Sequence, residues 1–239
     1  MRIAIVSDIH GNRTAFEAVL ADLREISPDL IFHGGDLADA GASPAEIVDG
    51  VRDLGWPGVL GNTDEMLIRP DCLTEFSERS PQLQSLFAVI AEMATATRES
   101  IGEERLNWLR GLPQSQVHGP MALVHASPES AWRAPLPESS DAELESVYGP
   151  LGQAIAIYAH IHRPHIRTFG RLTVANSGSV SLSYDGDRRA SYLLLDGSKP
   201  EIRRVEYEVD KELKALAACR LPHADWVANI LNRGAFQMP

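Results

Sequence analysis

At 239 residues the chain can bury one substantial core, so one domain spanning 1–239 is expected. Its net charge of -11 repels polyanions at long range, which disfavours an extended nucleic-acid face but admits a small phosphorylated ligand held through bound cations. Two widely spaced cysteines, Cys72 and Cys219, exclude a disulfide framework and a thiolate metal site, and with no bilayer-length apolar run and no leader-like start a cytoplasmic protein without a membrane partner is expected.

The chain opens on Ile3-Ala4-Ile5-Val6, a strand buried on both faces, which runs into Ser7-Asp8-Ile9-His10-Gly11-Asn12. Asn12 reads as the N-cap of a helix carrying Phe16, Val19, Leu20 and Leu23, stopped at Ser27-Pro28. Leu30 to His33 is a second short strand, delivering Gly34-Gly35-Asp36. Ser43-Pro44-Ala45-Glu46 reads as a capping box with proline at the first helical position, for a helix to about Leu54. A third strand, Gly58 to Leu60, delivers Gly61-Asn62-Thr63-Asp64. Such strand-helix repeats imply parallel strands with right-handed crossovers and a site along their carboxyl edge.

Over about 66–114 the strand pattern lapses into a cap-like helical segment. Ser80-Pro81 opens a helix with Leu83, Leu86, Phe87, Ile90 and Met93 on one stripe, and a second helix carries Leu106 and Leu109. The segment is expected to cover a sheet face and partly lid the site. Met121 to Val124 restores a strand ending at His125, and Ser140-Asp141-Ala142-Glu143 is a second capping box. Ile155 to Ala159 is a strand ending in His160-Ile161-His162-Arg163. Runs at Ile166 to Phe169, Leu172 to Ala175, Tyr192 to Leu195 and Arg203 to Val209 read as antiparallel hairpins, followed by helices near Lys211 to Cys219 and Asp225 to Leu231.

Collected, the polar residues at these strand ends are Asp8, His10, Asp36, Asn62, His125, His160 and His162. Seven oxygen and nitrogen donors on one edge exceed what one ion takes and suit two divalent ions sharing a carboxylate. This donor set accepts Mn, Fe, Zn, Co or Ni. Asp8-x-His10, Gly35-Asp36, Gly61-Asn62-x-Asp64, His125 and His160-x-His162, followed by Asn176-Ser177-Gly178-Ser179, resemble in order and spacing the calcineurin-like metallophosphoesterase superfamily over nearly the whole chain. Within it they resemble small bacterial and archaeal phosphodiesterase-like members.

The resemblance implies an α/β fold of four layers, α-β-β-α, with two mixed sheets packed face to face and helices outside. It implies that Asp8, His10 and His162 hold one ion and Asn62, His125 and His160 the other, with Asp36 bridging. Two such ions lower the pKa of a shared water and orient the resulting hydroxide toward phosphorus. The expected activity is a phosphodiesterase on a small or nucleotide-like substrate. Asn62 and Asp64 are the expected catalytic residues of the third block, Asp64 by fixing a neighbouring ligand or turn. Thr63, Arg163 and His165 are candidate substrate-binding residues, with Arg163 equally able to lie on the surface and His165 the one spare histidine near enough to donate a proton.

One departure matters. Many relatives carry histidine where this chain has Thr63, and threonine cannot act as a general acid near neutral pH. The alternatives are a dinucleoside polyphosphate hydrolase or protein phosphatase and, from another class, a noncatalytic scaffold, which loss of metal ligands would favour. All seven are present. The sequence leaves a homo-oligomer open.

Overall fold

In the computed structural model, which describes residues 1–78 and 80–239, the first apolar run forms β1 (Arg2–Val6). The helix that follows is α1 (Arg13–Ile26), capped by Asn12, whose side chain accepts the Ala15 N–H at 2.9 Å, and closed by Ser27 in the left-handed region. The chain returns as β2 (Leu30–His33), parallel to β1 with Ile3 opposite Leu30 and Val6 opposite His33. Next come α2 (Pro44–Asp53), α3 (Asn62–Ile68), α4 (Asp71–Glu78) and α5 (Gln84–Arg110), the last broken at Gly102, where φ is 73° and ψ 169°. The strands β3 (Ser115–His118) and β4 (Met121–Val124), the helix α6 (Asp141–Tyr148), and β5 (Ile155–Tyr158), β6 (His165–Phe169) and β7 (Leu172–Asn176) follow. The chain finishes with β8 (Ala190–Asp196), β9 (Lys199–Val205), α7 (Val209–Ala218) and α8 (Ala224–Arg233).

The strands make two mixed sheets, ordered β2-β1-β8-β9 and β3-β4-β5-β7-β6. Alternation along β1 decides the layering, because successive side chains of a strand point to opposite faces. Ile3 and Ile5 pack with Met121, Leu123, Ile155 and Ile157 between the two sheets. Ala4 and Val6 pack with Val19, Val48, Leu67 and Leu109 under the helices α1, α2, α3 and α5. On the opposite outer face Leu144 and Tyr148 of α6 cover Val124, Ala156 and Val174. The expected four-layer α-β-β-α arrangement is therefore what forms. Among the described residues no helix is long and apolar enough to cross a membrane.

Several local expectations are corrected. Ser43 makes no side-chain cap: its backbone, at φ -133° and ψ 55°, is held by the Gly11 carbonyl at 2.9 Å, away from the extended conformation a capping side chain reaches from. The Gly58 to Leu60 strand shrinks to one bridge, His33 to Gly58, because Leu60 N–H turns to the Pro113 carbonyl instead. The last strand ends at Val205 rather than Val209, where α7 begins. The two late hairpins form, but β7 also pairs parallel to β5 and β8 antiparallel to β1. The segment after Asp64 contains α3 and α4 as well as α5, while β3 and these two helices had no separate reading in the sequence.

His33 ends β2 fully buried, and neither ring nitrogen has a hydrogen-bond partner. Burial lowers its pKa to about 3. Below the unfolded value of 6.5 the unfolded chain binds a proton that the folded chain refuses, so this contribution to stability is complete above that pH and is lost as pH falls. Asp39 and Asp64, pushed up to about 7 and about 6 by burial, act with the opposite sign. A difference measurement isolates the histidine: between pH 7 and pH 4 wild type should lose about 3 kcal/mol more unfolding free energy than His33→Leu. Urea melts of both proteins check it, and parallel pH profiles would contradict it.

Candidate metal centre

The carboxyl ends of β1, β2, β4 and β5 meet at one edge, and the loops leaving them are laced together by backbone hydrogen bonds. Asp8 N–H donates to the Gly35 carbonyl at 3.0 Å, His10 N–H to Asp36 at 3.1 Å and Gly11 N–H to Leu37 at 2.8 Å. Within the other sheet, past the ends of the neighbouring strands β4 and β5, Ala159 N–H reaches the His125 carbonyl at 2.8 Å. The loops approach so closely that side chains are excluded: a Cβ on Gly41 would lie 2.0 Å from the His10 carbonyl oxygen, and one on Gly61 would lie 2.0 Å from Asp36 Oδ1.

Asp8, His10, Asp36, His160 and His162 all adopt positive φ, between 47° and 67°. A left-handed conformation costs an L-residue about 1–2 kcal/mol. Asp and His tolerate it better than most residues, and its clustering at one place marks a functional site.

Asp8, His10, Asp36 and His162 are buried and each brings a ligand atom within 4.8 Å of the others. His10 donates Nδ1–H to the Asp39 carbonyl at 2.9 Å and His162 donates Nδ1–H to the Leu182 carbonyl at 2.6 Å. A carbonyl can only accept, so both rings turn an Nε2 lone pair inward, and these two atoms stand 3.3 Å apart. His162 Nε2 lies 3.2 Å from Asp8 Oδ1 and His10 Nε2 3.7 Å from Asp36 Oδ2. Asp8 Oδ2 is buried without a partner.

A second group forms on the other oxygen of Asp36. His125 donates Nδ1–H to the Gly34 carbonyl at 2.7 Å, leaving Nε2 at 3.5 Å from Asp36 Oδ1 and 2.9 Å from Asn62 Oδ1. His160 Nδ1 approaches the same Asn62 oxygen at 2.8 Å. Asn62 begins α3, which fixes it at the site. Acceptor atoms gathered this closely, with an orphaned buried carboxylate oxygen, fit divalent cations. Burial lowers His10, and lowers His160 to about 4, which keeps both imidazoles neutral as ligands must be. At Asp8 burial opposes the charge, yet the surrounding histidines, His162 foremost with His125 and His10, together outweigh it and lower the carboxyl to about 2.

The remaining candidates separate. Asp64 is fully buried and accepts N–H groups of Asp36 at 2.7 Å, Leu37 at 3.0 Å and Gly61 at 3.2 Å. It is a positioning residue that clamps the Asp36 loop to α3. Thr63 donates its N–H to Asp36 Oδ1 at 2.9 Å and lines the cavity beside the ligands. Arg163 does not line it: its guanidinium pairs with Glu138 on the surface. His165 does not either, since its nitrogens contact Tyr158 Oη at 3.4 Å and the Arg163 carbonyl at 3.2 Å. Arg163 thus takes the surface position, one of the two left open to it, and His165 rests against Tyr158.

Sequence reading did not assign the carbonyls of Gly34, Asp39 and Leu182, because a backbone acceptor leaves no residue-type signal. It noticed Asn176-Ser177-Gly178-Ser179 without a role. Asn176 Nδ2–H donates to the Ala159 carbonyl at 2.6 Å, while Ser179 Oγ–H donates to the Asp8 carbonyl at 2.8 Å and accepts the Leu182 N–H at 2.9 Å. This turn ties the end of β7 to the Asp8 loop and supports the carbonyl that orients His162.

A family model described as the calcineurin-like phosphoesterase superfamily domain matches residues 1–199. The chain is 31% identical over 255 aligned positions to an uncharacterised protein of Methanocaldococcus jannaschii, covering 97% of this chain and 98% of that protein. A metallophosphoesterase from Sphaerobacter thermophilus superposes with a TM-score of 0.79 at 25% identity, covering 98% of this chain and 100% of that one. A hypothetical protein from Pyrococcus horikoshii OT3 shares the fold, with a TM-score of 0.85 at 19% identity and 99% of each chain covered.

Asp36 and Asp64 make a discriminating pair. Asp36→Asn should abolish metal-stimulated turnover and strip bound metal, because its two oxygens face the two ligand groups. Asp64→Asn should retain more metal while losing about 1–3 kcal/mol of stability, because the amide keeps one acceptor oxygen but turns an NH2 toward buried N–H groups that the other carboxylate oxygen had accepted. Elemental analysis and thermal melts on both variants decide it, and equal metal loss would contradict the assignment.

Proposed function

The chain belongs to the calcineurin-like phosphoesterase superfamily of metal-dependent phosphoester hydrolases, and from that premise we propose that it hydrolyses small phosphodiesters at a centre of two divalent ions, manganese among the candidates. The observation that carries this reading is the division of Asp36, with Oδ2 toward His10 and Oδ1 toward His125. Asp8, His10 and His162 with Asp36 Oδ2 would hold one ion, and Asn62, His125 and His160 with Asp36 Oδ1 the other. Bound there, two such ions supply Lewis-acid polarisation of the phosphoryl oxygens and a water acidic enough to attack phosphorus near neutral pH.

The chain's own contribution is placement. His10, His125 and His162 are held by backbone carbonyls, so their lone pairs are aimed before a metal arrives. His125 is the ligand for which a proton competes: burial opposes its charge, but Asp36, Asp8, the Gly34 carbonyl and Asp64 together outweigh burial and raise its pKa. Loading should weaken as pH falls through that raised value.

Preference for diesters rests on Thr63. Its Oγ is buried with no protein partner and belongs to the cavity wall, where it can hydrogen-bond an ester oxygen but cannot protonate a departing alkoxide. A diester also brings one negative charge to the site where a monoester brings two. The two unpaired cysteines support a cytoplasmic location. Retention of all seven ligand residues favours an enzyme over a scaffold.

With saturating metal, bis(p-nitrophenyl) phosphate should be hydrolysed faster than p-nitrophenyl phosphate, and wild-type rates should depend steeply on leaving-group pKa. Thr63→His should raise rates on alkyl monoesters by about 10²–10⁴-fold while activated esters change little, as expected of a positioned general acid. A leaving-group series on both proteins measures this. A flat wild-type dependence, or faster monoester turnover, would contradict the reading.

A further inference from the structure

Beside the metal-ligand side chains lies a cavity of about 100 Å³ that shares His10 and Asn62 with them, takes Thr63 and Asp39 into its wall, and is otherwise lined by apolar and aromatic side chains, including Ile90 and Met93 of α5, Ile230 of α8, and the rings of Trp132, Tyr184 and Trp226. The aromatic walls are anchored. Trp132 Nε1–H donates to Glu65 Oε2 at 2.8 Å and Trp226 Nε1–H to the Gln237 carbonyl at 3.0 Å. Tyr184 stacks on the His162 ring, centroids 4.5 Å apart at 24°, and Phe236 meets Tyr184 edge-on at 5.5 Å. With both indole N–H groups already bonded, what the walls offer is mostly apolar surface.

Among the described residues no lysine, arginine or glutamate lines this cavity. The one lining carboxylate, Asp39, is fully buried and accepts a hydrogen bond from Thr97 Oγ at 2.8 Å. A charged substituent placed here would be desolvated without a partner. A cavity of about 150 Å³ lined by aliphatic and aromatic residues takes up benzene, so the volume here is of the order that holds one ring. Part of the wall, α8, also lies beyond residue 199, where the matched family segment ends.

We propose that this cavity is the subsite for one ester group of the substrate, and that it selects an uncharged apolar group of about one ring. The assignment rests on the phosphodiesterase reading for its link to turnover, but not for its binding preference. It sets the substrate class apart from polyphosphate chains, whose extra charges would need cations in this wall.

The test compares phenyl methyl phosphate, 4-carboxyphenyl methyl phosphate and dimethyl phosphate on the metal-loaded full chain. Their Kd values come from tryptophan fluorescence and calorimetry, and their Ki values from competition against bis(p-nitrophenyl) phosphate. Phenyl methyl phosphate should bind at least tenfold tighter than either other compound, the scale at which apolar pockets discriminate by size. Trp226→Ala should bring the phenyl to methyl ratio toward one. Ile90→Lys should reverse the preference in favour of the carboxyphenyl ester, a gain that misfolding cannot mimic. Equal Kd values for the three compounds, or an unchanged ratio in Trp226→Ala, would overturn the subsite. A tenfold Kd ratio with no turnover of the reference diester would remove the phosphodiesterase reading and keep the subsite. Turnover without discrimination would do the reverse.

Discussion

The structure turns on the crowding of electron-donating atoms in a dry place. Two imidazole nitrogens 3.3 Å apart, each with its ring N–H turned away, and an Asp8 oxygen with no partner would not gather by mutual attraction. The backbone holds them there. Carbonyls of Gly34, Asp39 and Leu182 take the outer N–H of His125, His10 and His162, so each ring is fixed by its far side and leaves its near side for a cation.

Much of the fold follows from that requirement. Parallel strands from both sheets end at the same edge, so ligands far apart in the chain need only short loops to converge. Those loops are tight enough to force left-handed backbone at five ligand positions and to admit only glycine at Gly41 and Gly61. The strain is borne by the surrounding hydrogen bonds: Asp64 fastens three N–H groups of the Asp36 and Gly61 turns, and the Ser179 hydroxyl fastens the Asp8 loop. Helices beyond this framework add the apolar wall that gives the site a shape as well as a charge.

What the sequence made legible is what periodicity and residue type encode. The β1, α1 and β2 unit was readable because its apolar spacing switches from strand-like to helical at a capping asparagine, and the ligand residues stand out because Asp, Asn and His follow buried strands. Less was legible where partners are distant. Nothing in Tyr192 to Leu195 says that the strand joins β1 antiparallel, and nothing in Leu172 to Ala175 says that it lies parallel to β5. Arg163 and His165 follow the His-x-His block closely, but proximity in sequence did not bring them to the cavity, since Glu138 and Tyr158 engage them first. Trp226, more than 60 residues after His162, has no local feature that ties it to the site.

The division of Asp36 between two ligand groups is the claim on which the functional account stands. Crystals of the protein soaked in manganese and measured at the manganese absorption edge test it directly. The account predicts two anomalous peaks, one among Asp8, His10 and His162 and one among Asn62, His125 and His160, with Asp36 between them. A single peak, or peaks away from these residues, would contradict it.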